Sequence, residues 1–214
     1  MKVFGRSMQL EIELARWEVN NYDEFSVAFD DSMGQDFADL ILKPSLCAIS
    51  KVFKSSRKLR HLDLACGTGL FLLKLAQAWS TDPIGIDLSK GQIDRAKLRA
   101  RREGVKARFL VSDIRTTSLP GDCDLITCNL DALNHLCDLR DWKHLILKIR
   151  KSLNPGGLFL FDVNTPQRLI SDWEHPEIII KPNLTFVSSG LTLKRSASLV
   201  RRQLVMQVFQ RSLK

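Results

Sequence analysis

The chain has 214 residues, of which 44% are hydrophobic and 26% are charged, and its formal net charge is +8. These fractions are ordinary for a globular protein, and the length suffices for one large domain with its own core. They exclude a fibrous or low-complexity chain, and no apolar run approaches the length of a membrane span, so we expect no membrane protein.

Residues 7–55 predict an N-terminal helical region, with a break near Asp30 and Asp31. From residue 59 onward, predicted strands alternate with predicted helices. The strands are 59–64, 83–86, 106–111, 124–128 and 158–163, and the helices are 70–79, 88–102 and one around 142–153, which is followed by a turn at 154–157. Because the strands are continuous apolar runs, the pattern predicts a doubly wound, Rossmann-like α/β fold: a mostly parallel sheet with helices on both faces.

After residue 173 the pattern changes to short strands without intervening helices, at 178–180, 185–187, 191–193 and 204–209, which predicts antiparallel pairing. We therefore divide the chain into an N-terminal helical lid (1–55), a ligand-binding core (56–173) and an antiparallel strand segment (174–214). The three parts are expected to form a single structural domain.

The last segment also carries most of the net charge, because seven basic residues and no acidic residue lie within 178–214. This excess indicates either a solvated outer face of the strands or a site for an acidic partner or nucleic acid. Phe186 and Phe209 are the only aromatic residues there, so base stacking has little support and nucleic acid is not the expected partner.

Five cysteines are an odd number, and no two of them have the C-x-x-C spacing. This predicts reduced thiols in the cytoplasm rather than a disulfide framework or a zinc site. The N-terminus reaches Glu11 and Glu13 without an apolar core, so we expect no signal peptide. No clustered histidine or carboxylate spacing suggests a metal.

The first strand runs through Asp63 into a glycine loop, Cys66-Gly67-Thr68-Gly69. A dinucleotide-binding loop would read G-x-G-x-x-G, but its third glycine is replaced here by Leu72, which disfavours a dehydrogenase. The two glycines let the backbone approach a ligand. An acid beside the loop would repel a diphosphate but suits a ligand with a cationic amine, although Asp63 could also merely cap the loop.

Polar residues also lie at the ends of the remaining four predicted strands of the parallel sheet, at positions 87, 113, 129–131 and 162–164. The carboxyl ends of parallel strands meet at one edge of a sheet, where such folds bind ligands. Asp87 is suited to accept hydrogen bonds from both hydroxyls of a ribose. Asp113 is suited to accept from the amine of adenine, while the N–H of Ile114 donates to a ring nitrogen and Leu88 offers an apolar surface.

With these motifs, residues 60–165 resemble the small-molecule branch of class I S-adenosylmethionine-dependent methyltransferases. The run Leu-Asn-Pro-Gly-Gly-Leu-Phe-Leu-Phe-Asp-Val-Asn-Thr at 153–165 is typical of their fifth strand. Residues 22–30 are similar to the lid motif of one subgroup, with Phe29 where that subgroup has tyrosine. The resemblance implies S-adenosyl-L-methionine as cofactor, contacted at Tyr22, Asp63, Ala65, Cys66, Gly67, Thr68, Gly69, Asp87, Leu88, Asp113, Ile114, Asn129 and Leu130.

The resemblance also places residues 129–135 beside the methyl group, where Asp131 and His135 are the candidate catalytic residues. A histidine that titrates near neutrality suits a general base, but one at the start of a helix can equally be structural. Asn164 is a further candidate for facing the acceptor. In-line displacement needs little acid–base help, because alignment and exclusion of water supply most of the acceleration.

We therefore expect transfer of a methyl group from S-adenosylmethionine to a small-molecule acceptor. Members of this family usually complete the sheet with a helix and an antiparallel strand pair that this sequence does not show, so we expect a sheet that is incomplete on its C-terminal side. Segment 174–214 would then pair in a homodimer or with another partner. The alternatives are a truncated domain that binds the cofactor or a partner without turnover and, less well supported by the strand-four ending Asn129-Leu-Asp-Ala132, an RNA methyltransferase.

Overall fold

The computed structural model describes residues 34–136 and 138–164, three single residues before them (Tyr22, Ser26 and Asp30), and the backbone of three strands between 177 and 210. Any helix within residues 7–33, the first part of the predicted helical region, therefore lies outside the described residues. The helices are α1 (Gln35–Val52), α2 (Leu70–Ala78), α3 (Lys90–Arg102), the 3-10 helix (Ala132–His135) and α4 (Leu139–Ser152). The strands are β1 (Leu59–Leu64), β2 (Thr81–Asp87), β3 (Arg108–Val111), β4 (Cys123–Cys128), β5 (Leu153–Phe161), β6 (Glu177–Lys181), β7 (Leu184–Arg195) and β8 (Leu199–Gln210). None of the described helices is both long enough and apolar enough to cross a bilayer.

Strands β1 to β5 form one parallel sheet in the order β3-β2-β1-β4-β5. The order reverses direction between β1 and β4, which creates a crevice at the carboxyl ends of these two strands. The predicted parallel α/β sheet is confirmed. In the described part of the chain this sheet ends at β5, whose outer edge pairs with no strand.

Apolar side chains form a cluster on each face of the sheet. On one face Leu62 packs with Ile149 of α4. On the other face Leu59 packs with Ile49 of α1 and Leu75 of α2. These side chains are essentially inaccessible to solvent, so truncating any one of them to alanine should cost about 2–5 kcal/mol. Helices therefore cover both faces, as predicted.

The predicted turn at 154–157 is wrong, because these residues belong to β5. The register passes from Cys123 opposite Leu153 directly to Leu125 opposite Leu158, so the four residues form an irregular bulge within the strand. Gly156 has a φ of 77°, a conformation that favours glycine. The Pro-Gly-Gly run therefore bends the strand without ending its pairing.

Strands β6, β7 and β8 form a separate three-stranded antiparallel sheet, which confirms the predicted pairing mode. The prediction of two strands at 185–187 and 191–193 is wrong, because both lie in the single strand β7. The Ser-Ser-Gly run between them has the composition of a turn, but each of its residues keeps a partner in β8, from Ser188 opposite Met206 to Gly190 opposite Leu204.

Candidate functional site

The glycine loop leaves β1 through residues that alternate into the left-handed region: Ala65 has a φ of 52°, Gly67 of 55° and Gly69 of 72°. A Cβ on Gly69 would lie 3.1 Å from both the Ala96 Cβ and the Phe109 ring, so this position has room only for glycine. The loop is also tied to β2, because the N–H of Cys66 donates to the carbonyl of Ile86 at 3.0 Å.

Cys66 is buried against β2, where a Cβ on Gly85 would lie 2.6 Å from its Sγ atom. Burial, together with the nearby carboxyls of Asp87 and Asp63, raises the pKa of this thiol well above its usual range. The thiol therefore stays protonated and inert near neutral pH. Cys66 is therefore a small, unreactive residue in a crowded turn.

Asp87, at the end of β2, joins the glycine loop to the start of α3. One carboxylate oxygen accepts from the N–H of Gly67 at 2.8 Å, and the other accepts from the N–H of Ser89 at 2.9 Å. The neighbouring Leu88 exposes its apolar side chain at this edge.

Asp63 lies fully buried in a chain of three polar side chains. The hydroxyl of Thr127 donates to Asp63 Oδ1 at 2.5 Å, and His61 Nε2 lies 2.8 Å from the same hydroxyl oxygen. Burial, reinforced by the charge of Asp87, raises the pKa of Asp63 to about 7. Burial also lowers the pKa of His61 to about 3, so this histidine is neutral at physiological pH. The hydrogen bond from Thr127 supports the ionised form of Asp63 against these effects.

Asp113, after β3, is engaged by its own loop. The N–H of Arg115 donates to Asp113 Oδ1 at 2.8 Å, and the guanidinium of Arg115 donates to Oδ2 at 2.7 Å. Burial acts to raise the pKa of Asp113, but these hydrogen bonds prevail and lower it. Lys148 of α4 holds the same loop by donating to the carbonyl of Ile114 at 2.8 Å.

Thr68 uses its hydroxyl within the protein. It is buried and donates to Asp30 Oδ1 at 2.5 Å, and Asp30 also forms a salt bridge with Arg99 of α3. The predicted contact of Thr68 with a ligand therefore rests on its backbone rather than on its hydroxyl. Sequence patterns missed Arg99, which looks like an ordinary basic residue in the last turn of a helix.

The loop after β4 contains two successive non-glycine residues in the left-handed region, Leu130 with a φ of 58° and Asp131 with a φ of 59°. Their N–H groups donate to the two carboxylate oxygens of Asp162, at 2.6 and 2.9 Å. Burial, followed by the charge and hydrogen bond of Asp162, raises the pKa of Asp131, although the side chain of Asn164 acts in the opposite direction. Asp162 was recognised in the sequence only as part of a polar cluster.

Two further contacts connect this region. The Asn134 amide donates to the carbonyl of Asn164 at 3.2 Å and accepts from the Asn164 N–H at 2.9 Å. The hydroxyl of Tyr22 lies 3.1 Å from His135 Nε2, and the two rings meet edge to face at 5.8 Å. The structure therefore joins Tyr22 to His135 and Asn134 to Asn164, just beyond the loop after β4.

A cavity of about 50 Å³ lies in the crevice, between the first turns of α1, the glycine loop and the loop after β4. Its lining residues are Gly34, Phe37, Ala38, Ile41, Asp63, Ala65, Cys66, Gly67, Thr68, Leu70, Phe71, Asn129 and Leu130. The amide nitrogen of Asn129 is buried and has no hydrogen-bond partner among the described residues. The cavity thus offers one carboxylate and one spare amide donor, a pair suited to the ammonium and carboxylate of an amino acid.

The residues present fit S-adenosylmethionine. A doubly wound domain with an acid and a two-glycine loop after β1, and with a second acid after β2, defines a Rossmann-like domain for a nucleoside that carries an amine rather than a diphosphate. Residues 62–157 match the family model described as a methyltransferase domain. Together with the fold and the site, this match makes residues 62–157 similar to a methyltransferase domain of class I, the class that uses S-adenosylmethionine.

Individual relatives are consistent with this assignment. The chain is 33% identical over 162 residues to carboxy-S-adenosyl-L-methionine synthase of Nautilia profundicola, covering 74% of this chain and 64% of the relative. It is 34% identical over 107 residues to the putative methyltransferase YqeM of Bacillus subtilis, covering 50% and 42%. The chain thus spans less than two thirds of each of these two relatives.

Among solved structures, an S-adenosylmethionine-dependent methyltransferase from Clostridium acetobutylicum superposes with a TM-score of 0.65 at 23% identity, covering 90% of this chain and 82% of that one. At this identity the superposition supports the fold and not a particular acceptor.

Proposed function

We propose that the protein transfers a methyl group from S-adenosylmethionine to a small-molecule acceptor by in-line displacement. The observation that carries the proposal is the crevice between β1 and β4, where buried Asp63 and the spare amide donor of Asn129 line one cavity beside the glycine loop. This pair suits the amino-acid end of the cofactor. S-adenosylmethionine supplies an activated methyl group on a sulfonium, whose leaving group is a neutral thioether.

The adenosine end is assigned to the residues after β2 and β3. The carboxylate of Asp87, which accepts from the N–H groups of Gly67 and Ser89, is assigned to the ribose hydroxyls. Asp113 and the N–H of Ile114 suit adenine, and Leu88 suits one face of its ring. Lys148 supports this assignment because it fixes the loop carbonyl of Ile114.

The acceptor is assigned to the end of the crevice formed by Tyr22, Asp131, His135 and Asn164. These side chains would position the nucleophile in line with the methyl group and take up its proton, with Asp131 or His135 as the acceptor of that proton. The raised pKa of Asp131 supports this role, because a carboxylate that holds protons more tightly is a better base.

Methyl transfer is favoured over transfer that carboxylates the cofactor, the product that the name of the first relative indicates. A carboxylated cofactor would bring another negative charge toward Asp131 and Asp162, which already share a hydrogen bond. Mass spectrometry of the cofactor separates the two reactions: incubation with a methyl acceptor yields S-adenosylhomocysteine, whereas incubation with a carboxylic acid that releases its carboxyl group to the cofactor yields a heavier cofactor.

We further propose the division into a lid (1–55), a cofactor-binding core (56–173) and an antiparallel segment (174–214). The separate antiparallel sheet and the unpaired outer edge of β5 in the described part of the chain support pairing with a second copy or another partner. A cytoplasmic location is part of the same proposal, and the buried, unreactive Cys66 and Cys128 are compatible with it.

Isothermal titration calorimetry with S-adenosylhomocysteine tests the cofactor assignment. Asp87→Ala should weaken binding at least about tenfold, because charge-assisted hydrogen bonds are lost. The matched control is Asp82→Ala, at the opposite end of β2 in a partly exposed salt bridge with Arg108, which should leave affinity unchanged. Equal affinities of wild type and Asp87→Ala would contradict the assignment, and binding without product on any acceptor would favour the alternative of a domain without turnover.

A further inference from the structure

The carboxylate of Asp162 fastens the end of β5 to the loop after β4. Its two oxygens accept from the N–H groups of Leu130 and Asp131, at 2.6 and 2.9 Å, although the donors are about thirty residues away in sequence. Both donors are non-glycine residues with a φ near +60°. Such residues persist only where their surroundings hold them in place, and two in succession are unusual.

A carboxylate is well suited to hold this conformation. Successive backbone N–H groups that point to one side form a concave site for an anion, and hydrogen bonds to a charged acceptor are stronger than those between neutral groups. Asp162 therefore supplies the compensation that the backbone of Leu130 and Asp131 requires. A neutral side chain of the same size could accept only one of the two N–H groups.

A second connection reinforces the first. Asn134 in the 3-10 helix exchanges two hydrogen bonds with the backbone of Asn164, just after Asp162. The segment from Asn129 to His135 is thus held to the end of β5 at two places. This segment carries the amide of Asn129 on the cavity side and Asp131 on the acceptor side.

We propose that Asp162 is a positioning residue for methyl transfer: by bridging the N–H groups of Leu130 and Asp131, it fixes the loop that presents Asn129 to the amino-acid end of the cofactor and Asp131 to the acceptor. This inference rests on the proposed function and deepens it. Asp162 acts through the loop and does not itself contact the cofactor.

The inference predicts that disturbing the loop weakens binding only at the amino-acid end of the cofactor. The cavity with Asp63, Asn129 and Leu130 does not include Asp87 or Asp113, the residues assigned to adenosine. A disturbed loop should therefore weaken S-adenosylhomocysteine, which has the amino-acid end, and spare 5′-methylthioadenosine, which lacks it. General loss of structure would weaken both ligands.

The test is calorimetry of both ligands with Asp162→Asn. We expect about tenfold weaker binding of S-adenosylhomocysteine and unchanged binding of 5′-methylthioadenosine, since one charge-assisted hydrogen bond is lost and two N–H donors are left facing an amide. The matched control is Asp124→Asn, because Asp124, near the start of β4, also accepts from a backbone N–H, that of Arg60 at 3.0 Å. Asp124 lies where the strands begin, away from the crevice at their carboxyl ends, so its variant should leave the affinities for both ligands unchanged.

A rescue experiment separates positioning from bulk stability. Glycine adopts a positive φ without strain, so Leu130→Gly added to Asp162→Asn should recover a large part of the lost affinity. No recovery, or equal weakening of both ligands, would overturn the inference, as would wild-type affinity of Asp162→Asn for S-adenosylhomocysteine. Failure of the wild-type protein to bind either ligand would instead overturn the proposed function.

Discussion

Asp124, where the parallel strands begin, and Asp63 and Asp131, where they end, lie in opposite electrostatic environments, whereas Asp113 at the strand ends is paired with Arg115. At the edge formed by the starts of the strands, Asp124 pairs with Arg57 at 2.5 Å and accepts from the N–H of Arg60. Although burial acts to raise the pKa of Asp124, these contacts lower it. At the edge formed by the ends of the strands, Asp63 and Asp131 have raised pKa values. No salt bridge to Asp63, Asp131 or Asp162 occurs among the described residues.

This difference distinguishes carboxylates that stabilise the fold from carboxylates that are suited to bind a ligand. Carboxylates that are neutralised within the protein stabilise the fold, as at the first edge. Carboxylates left without an internal cation cost stability until a positive ligand arrives, as at the second edge. A ligand with a sulfonium and an ammonium supplies the missing positive charge. Binding then relieves the electrostatic cost that these carboxylates impose on the free protein, and this relief contributes to affinity.

Replacing Asp63 should give the largest effect and the sharpest contrast with Asp124. Asp63→Asn should weaken S-adenosylhomocysteine by about 10- to 100-fold, because a hydrogen bond to a charged group is lost, and yet raise the melting temperature without ligand. Asp124→Asn should lower the melting temperature and leave affinity unchanged. Calorimetry and thermal unfolding of both variants check this contrast. The contrast fails if Asp63→Asn and Asp124→Asn change the affinity in the same direction and the melting temperature in the same direction.

The pH dependence should follow the pKa of Asp63. Its folded value of about 7 lies above the unfolded one, so the stability of the free protein should fall as pH rises from about 4 to 7, by an amount on the order of 4 kcal/mol. Affinity for S-adenosylhomocysteine should rise over the upper part of this range, because only the ionised carboxyl pairs with the amine. Urea unfolding and calorimetry across pH measure both trends, and a wild-type affinity that does not change with pH would exclude Asp63 as the partner of the amine.

A smaller effect is expected from Thr127, whose hydroxyl supports the charged form of Asp63. Thr127→Val should shift the midpoint of the pH dependence of binding upward by about one unit, which corresponds to the loss of one hydrogen bond. Thr127→Ser keeps the hydroxyl and should retain the wild-type midpoint. Identical midpoints in all three proteins would show that the hydroxyl does not influence the carboxyl.

The smallest effect is expected from Arg115, which occupies the carboxylate of Asp113 from a partly exposed position. Arg115→Met should strengthen 5′-methylthioadenosine by about two- to fivefold, because a partly exposed ion pair no longer competes with adenine. Arg108→Met, which removes the partner of Asp82 at the other edge, is the matched control and should change nothing. Weaker binding by Arg115→Met would mean that the guanidinium assists the adenine site.

Much of the fold was predictable because its signals are local. Apolar runs predicted the core strands, and the run through Asp63 into Gly67 and Gly69 predicted where the ligand-binding crevice lies. The failures also had local causes. The composition of Pro155-Gly-Gly157 and of Ser188-Ser-Gly190 is that of turns, yet the first is a bulge after which pairing resumes at Leu158, and the second stays paired with β8 throughout.

The sequence predicted candidate site residues but not the hydrogen bonds between them. The donor that each carboxylate accepts from is distant in sequence, as with the N–H of Leu130 for Asp162 or the hydroxyl of Thr68 for Asp30. No composition signal reports a left-handed backbone at leucine, because that conformation is imposed by the carboxylate opposite. Sequence patterns therefore identified the residues at the crevice but could not distinguish residues that bind from residues that position.

The contact between Gly85 and Cys66 has an evolutionary consequence. A Cβ at position 85 would lie 2.6 Å from the sulfur and 2.9 Å from the Phe109 ring, so a relative with alanine there should lack a side chain beyond Cβ at the position of Cys66, or move its loop away from β2, and must also shift the ring. The two positions should therefore covary, with at most one of them bearing a side chain beyond Cβ. Variation at this pair in an alignment would then record how far the loop stands from the sheet, and with it the depth of the crevice.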